Sequence, residues 1–80
     1  MLYAFKITIM ETDITKKITP NKIIEVFENT DIVNIRSYQP MNGQIVDDND
    51  FDVPINYKVR IRHNEDESPK ELLNIAIKQL

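Results

Sequence analysis

The chain has 80 residues and a net charge of −3, with 41% apolar and 29% charged residues, which describes one small domain with no room for a second core. Having no cysteine, it lacks a disulfide framework, thiolate zinc ligands and a thiol nucleophile. A single glycine leaves no phosphate-cradling loop of the P-loop or dinucleotide-binding kind.

A domain of this size buries only ~60% of the surface its unfolded chain exposes, so it needs every apolar residue it has. Thirteen Ile and five Val against four Leu favour strands over an all-helical bundle, because branching at Cβ suits the pleated surface of a sheet. The mild acidity gives no global electrostatic argument for nucleic acid, whose binders carry a basic excess. Met1-Leu2-Tyr3-Ala4-Phe5-Lys6 is not the basic stretch and long apolar run of a signal peptide. No segment approaches the ~20 apolar residues of a membrane span, and the cytoplasm is the expected location.

Tyr3, Phe5, Ile7 and Ile9 alternate with Ala4, Lys6 and Thr8, the period of a first strand with one buried face. Glu11 to Lys17 is polar and reads either as a loop or, through Ile14 and Ile18, as an extension of that strand. Thr19-Pro20 reads as an N-cap followed by proline at the first helical position, with Ile23, Ile24 and Phe27 at helical spacing and Glu25 and Glu28 on the wet side. After Asn29-Thr30-Asp31, a second strand is expected over Ile32 to Tyr38. Val33 and Ile35 then lie on one face, with Asn34 and Arg36, and Tyr38 with them, on the other.

Asn42-Gly43 is the strongest turn signal, since a tight hairpin needs positive φ at both central residues. Met41 and Ile45-Val46 beside it suggest a short third strand, held to a sheet edge by Pro40. Asp47 to Pro54 is an acidic loop. Ile55 to His63 is the clearest strand, with Ile55, Tyr57, Val59 and Ile61 pointing one way and Asn56, Lys58, Arg60 and Arg62 the other. Ser68-Pro69-Lys70-Glu71 is a capping box that opens a last helix bearing Leu72, Leu73, Ile75, Ala76, Ile77 and Leu80.

The expected fold is therefore α+β, in the order β-α-β-β-β-α: a three- or four-stranded antiparallel or mixed sheet with two helices on one face, a ferredoxin-like variant without its final strand. Three surfaces compete for a role. Asp48, Asp50 and Asp52 have the alternate spacing that opens a calcium loop. Val53 and Val59 then stand where that motif needs Gly and Glu, so neither metal nor cofactor is expected. The loop residues Asp47, Asp48, Asp50, Phe51 and Asp52 read instead as a partner-binding patch, an aromatic anchor among carboxylates, set against a merely solvated loop.

Lys58, Arg60 and Arg62, with Arg36 and Lys6, form a basic row suited to phosphates, and Tyr38 is the aromatic able to stack on a base there. The plainer reading is a wet face balanced by neighbouring carboxylates. Leu73, Ile77 and Leu80 on the last helix offer a homodimer face, set against ordinary core packing. His63, the only histidine, reads as a surface residue, because no second histidine joins it and Ser68 is occupied as a cap.

These features point to a small acidic, non-enzymatic protein-binding module, an inhibitor or adaptor. A compact acidic chain with few motifs resembles phage and mobile-element accessory proteins, and the expectation is an inhibitor of a host nucleic-acid-binding or defence complex, such as an anti-CRISPR. The expected partner is another protein with a basic, nucleic-acid-binding surface, and no membrane. The alternative is a nucleic-acid-binding protein that uses Arg36, Lys58, Arg60 and Arg62. A lone histidine and two serines do not assemble a catalytic site within one chain.

Overall fold

The computed structural model describes residues 8–80. Tyr3, Phe5, Lys6 and Ile7, read above as part of a first strand or of the basic row, lie outside the described residues. The elements run β1 (Ile9–Ile18), α1 (Pro20–Asn29), β2 (Asn34–Pro40), β3 (Ile55–Asn64) and α2 (Pro69–Lys78). The sheet is three-stranded and antiparallel in the order β1-β3-β2, with the last strand of the chain inserted between the first two.

β1 settles the reading of Glu11–Lys17 as strand: the register runs unbroken from Ile9 opposite Asn64 to Ile18 opposite Ile55. β3 is central because its alternation is the cleanest. Tyr57, Val59 and Ile61 are buried on one face, while Asn56, Arg60, Arg62 and Asn64 are exposed on the other. The buried face joins Ile23 and Val26 of α1 and Leu73 and Ala76 of α2 in one cluster, completed by Ile18, Val33 and Ile35. Val26, which the spacing of Ile23, Ile24 and Phe27 passes over, is fully buried, whereas Phe27 is largely exposed.

Both helices start as their sequences dictate. Thr19 accepts a hydrogen bond from the Lys22 N–H at 3.1 Å, and Ser68 Oγ accepts from the Glu71 N–H at 3.3 Å, each with proline in the first turn. Only this half of the expected capping box forms.

Two expectations are corrected. The first is the third strand around Met41 and Ile45-Val46, which does not form. Asn42 (φ 59°) and Gly43 (φ 66°) take the positive dihedrals foreseen for a tight turn, and Gln44 N–H closes it onto Met41 O at 3.2 Å. Beyond it, however, Ile45 is 90% exposed and pairs with no strand. Pro40 already ends β2, and the Asp47 side chain, accepting from Asn49 N–H, turns the chain into a short 3-10 turn at Asp48–Asp50.

The second correction concerns β2. Ile35 lies opposite Ile61 and Ser37 opposite Arg60, so Arg36 is an extra residue, a β-bulge. The bulge shifts the phase of everything after it. Tyr38 lies opposite Val59 on the covered side, edge-on to Tyr57 (ring centroids 6.1 Å apart) and to Phe27 (5.4 Å). It does not share the Arg36 side.

Candidate functional site

The open face of the sheet carries the basic row, and β1 supplies its counter-charges. Asp13 stands directly opposite Arg60 and Glu11 opposite Arg62. Asp13 takes two hydrogen bonds from Arg60, Nε to Oδ1 at 2.9 Å and Nη2 to Oδ2 at 3.2 Å, and it lies 3.9 Å from Lys58 Nζ. Glu11 reaches over to Arg36 at 3.6 Å. The hydrogen bonds from Arg60 hold the Asp13 carboxyl below its ordinary value, with the charges of Arg60 and Lys58 adding to the effect. The same contact pushes the Arg60 guanidinium up.

A hollow on this face is lined by Asp13, Ser37, Gln39, Lys58 and Arg60, so the carboxylate of Asp13 is part of its wall. A phosphate approaching Arg60 would therefore have to displace Asp13. Tyr38, turned to the covered side by the bulge, offers no stacking surface here. Tyr57 is buried with Val59 and Ile61 on the covered face, which pushes its phenol up, with Tyr38 adding to the effect.

The acidic loop is not free chain. The N–H of Asn21, one of the orphan donors at the start of α1, is accepted by Phe51 O at 3.2 Å, and Asn21 Nδ2 donates to Asp52 Oδ1 at 2.7 Å. α1 has no acidic residue in its own first turn, so Asp52 supplies the negative charge that a helix N-terminus favours. Asp47 is occupied in the 3-10 turn, whose bonds Asp50 N–H to Asp47 O (2.9 Å) and Val53 N–H to Asp50 O (3.0 Å) fix the loop's shape. Asp48 and Asp50 make no side-chain hydrogen bond or ion pair among the described residues, and both are exposed. Phe51 is half-buried, while Val53 and Ile45, on either side, are exposed.

His63 overturns the expectation of a surface residue. It is only 8% exposed, on the same face of β3 as Tyr57, Val59 and Ile61. Its Nδ1 lies 2.8 Å from Asn64 O and its Nε2 2.7 Å from Thr12 Oγ1, the hydroxyl of the neighbouring strand. A carbonyl only accepts, so Nδ1 carries a proton; the neutral ring then takes the Thr12 hydroxyl proton at Nε2. Nε2 thereby ties β3 to β1, while Nδ1 bonds within β3 to the carbonyl of the next residue. The signal was in the alternation of β3, where 63 has the parity of the apolar set.

The proposed homodimer face on α2 also changes. Leu73 is fully buried and presents no surface to a partner; Ile77 is half-buried against the core, and Ile75 and Leu80 are exposed. Among the described residues no helix is long and apolar enough to cross a membrane. Comparison with known proteins finds no matching family model, no matching curated protein and no matching solved structure.

Proposed function

We propose that the chain is a non-enzymatic binding module whose loop 44–53 docks on a basic surface of another protein. The observation that carries this reading is the loop's composition in its folded state. Asp48 and Asp50 stand without partners among the described residues, on a loop fastened to α1, with Ile45 and Val53 exposed beside them. A shape fixed before binding reduces the ordering cost of association, and apolar side chains flanking unpaired charges supply both steering and burial. Phe51 is the aromatic anchor under the loop. A basic surface that otherwise holds nucleic acid is the kind of partner such a loop matches, which makes the chain an inhibitor or adaptor of a nucleic-acid-binding complex acting in the cytoplasm.

The test is a pull-down from the native host with three baits: the wild type, a variant with Asp47, Asp48, Asp50 and Asp52 changed to Asn, and a variant with Lys58, Arg60 and Arg62 changed to Gln. A protein retained by the wild type and the second variant but lost from the first is the expected result. Loss from the second variant alone would turn the argument toward the sheet face. Direct nucleic-acid binding through Arg36, Lys58, Arg60 and Arg62 has Asp13 and Glu11 against it; a mobility shift at low salt and micromolar protein decides it, with no shift expected.

A further inference from the structure

The two edges of the sheet differ. β2 is interrupted by the bulge at Arg36 and ends on Pro40, which has no N–H, both recognised ways of closing an edge to further pairing. β1 runs for 10 residues with neither, and its outer side has no partner strand among the described residues.

The pairing potential of that edge can be read residue by residue. Glu65 N–H donates to Thr8 O at 3.0 Å, so the even-numbered residues of β1 direct their backbone groups to β3. Ile9, Glu11, Asp13, Thr15 and Lys17 therefore aim theirs outward. These same residues carry their side chains on the open face.

We propose that this edge pairs with a second copy of the chain, antiparallel, about a two-fold axis at Ile14. Glu11 then lies opposite Lys17 of the second copy, and Lys17 opposite its Glu11, so the oppositely charged pair is made twice. Asp13 falls opposite Thr15. On the covered side, Ile14 meets its own copy and the exposed Met10 meets Ile18. Ile14 sits at a non-hydrogen-bonded position of the new pair, where cross-strand side chains come closest, and it is half-buried in the single chain.

Neighbouring registers are worse. A shift of two residues one way sets Asp13 against itself; the other way sets Lys17 against Asp13, which Arg60 holds with two hydrogen bonds, whereas Glu11 has only the longer 3.6 Å contact with Arg36. A shift of one sets the outward backbone groups of the odd residues opposite even residues whose groups are already bonded to β3, so no ladder forms. Lys16, an inward-pointing charge of the kind that guards edges, is turned over the sheet to Asn74 Oδ1 at 2.8 Å and leaves the edge clear.

Sedimentation equilibrium of the full chain tests this. The wild type is expected to dimerise, and Glu11→Lys and Lys17→Glu, both at exposed positions, should each weaken the dimer about tenfold or more by setting like charges opposite each other. The double variant Glu11→Lys/Lys17→Glu should recover it, and an equimolar mixture of the two single variants should form a heterodimer. A chain monomeric at every concentration, a dimer indifferent to Lys17→Glu, or a double variant as weak as the singles would each overturn the proposal.

Discussion

The acidic loop and the basic strand face look alike in sequence, each a short run of one sign of charge, and they differ completely in what the fold does with them. The basic row is answered in part across the sheet: Asp13 binds Arg60 and lies 3.9 Å from Lys58, and Glu11 binds Arg36, while Arg62 has no ion pair among the described residues. The loop is held by its backbone and by Asp52, and its two middle carboxylates have no partner among the described residues. Charge that the fold already answers has less left for a partner, and this is why the loop is the proposed binding surface.

The widest test of this contrast is the platform beneath both regions. β3 carries the basic row and follows the loop, so Ile61→Ala, which opens a cavity at its fully buried centre, should cost about 2–5 kcal/mol in urea unfolding and loosen both regions together. A loss below about 1 kcal/mol would mean that β3 is not the spine of the core.

The next test separates the regions. Asn21→Ala removes the side-chain bond to Asp52 and should cost about 1 kcal/mol, with amide exchange speeding up in residues 47–53 and staying unchanged in β3. Equal acceleration in both would show that the loop is not separately fastened.

The smallest effect belongs to the basic face. Because the folded-state value of Asp13 is lowered, its contribution is present above about pH 4 and is lost as pH falls through the lower folded value. Stability curves of the wild type and Asp13→Asn should therefore differ at neutral pH and converge in acid. A difference that persists below about pH 2 would mean that Asp13 acts through packing rather than charge.

Much of the fold was legible because β3 and the helix caps state their structure locally. Alternation from Ile55 to Ile61, Thr19-Pro20 and Ser68-Pro69 each carry their own signal. β1 was ambiguous because its open-face residues are polar, and for Glu11 and Asp13 the reason lies in β3, in Arg62 and Arg60 opposite them. The bulge at Arg36 left no local mark and so moved Tyr38 to the unexpected side. Asn42-Gly43 named its turn correctly, but a turn does not require a strand after it, and Ile45 has nothing to pair with. The loop's acidity was visible and its attachment was not, because Asn21 lies 31 residues from Asp52.

The claim that the loop binds through charges the fold has left unpaired is tested most directly by the salt dependence of the captured complex. For the wild type, affinity should fall steeply between about 50 and 200 mM salt, as it does when opposite charges meet across an interface. For the variant with Asp47, Asp48, Asp50 and Asp52 changed to Asn, affinity should be lower and its salt slope flattened. The same affinity and the same slope in both proteins would contradict the account.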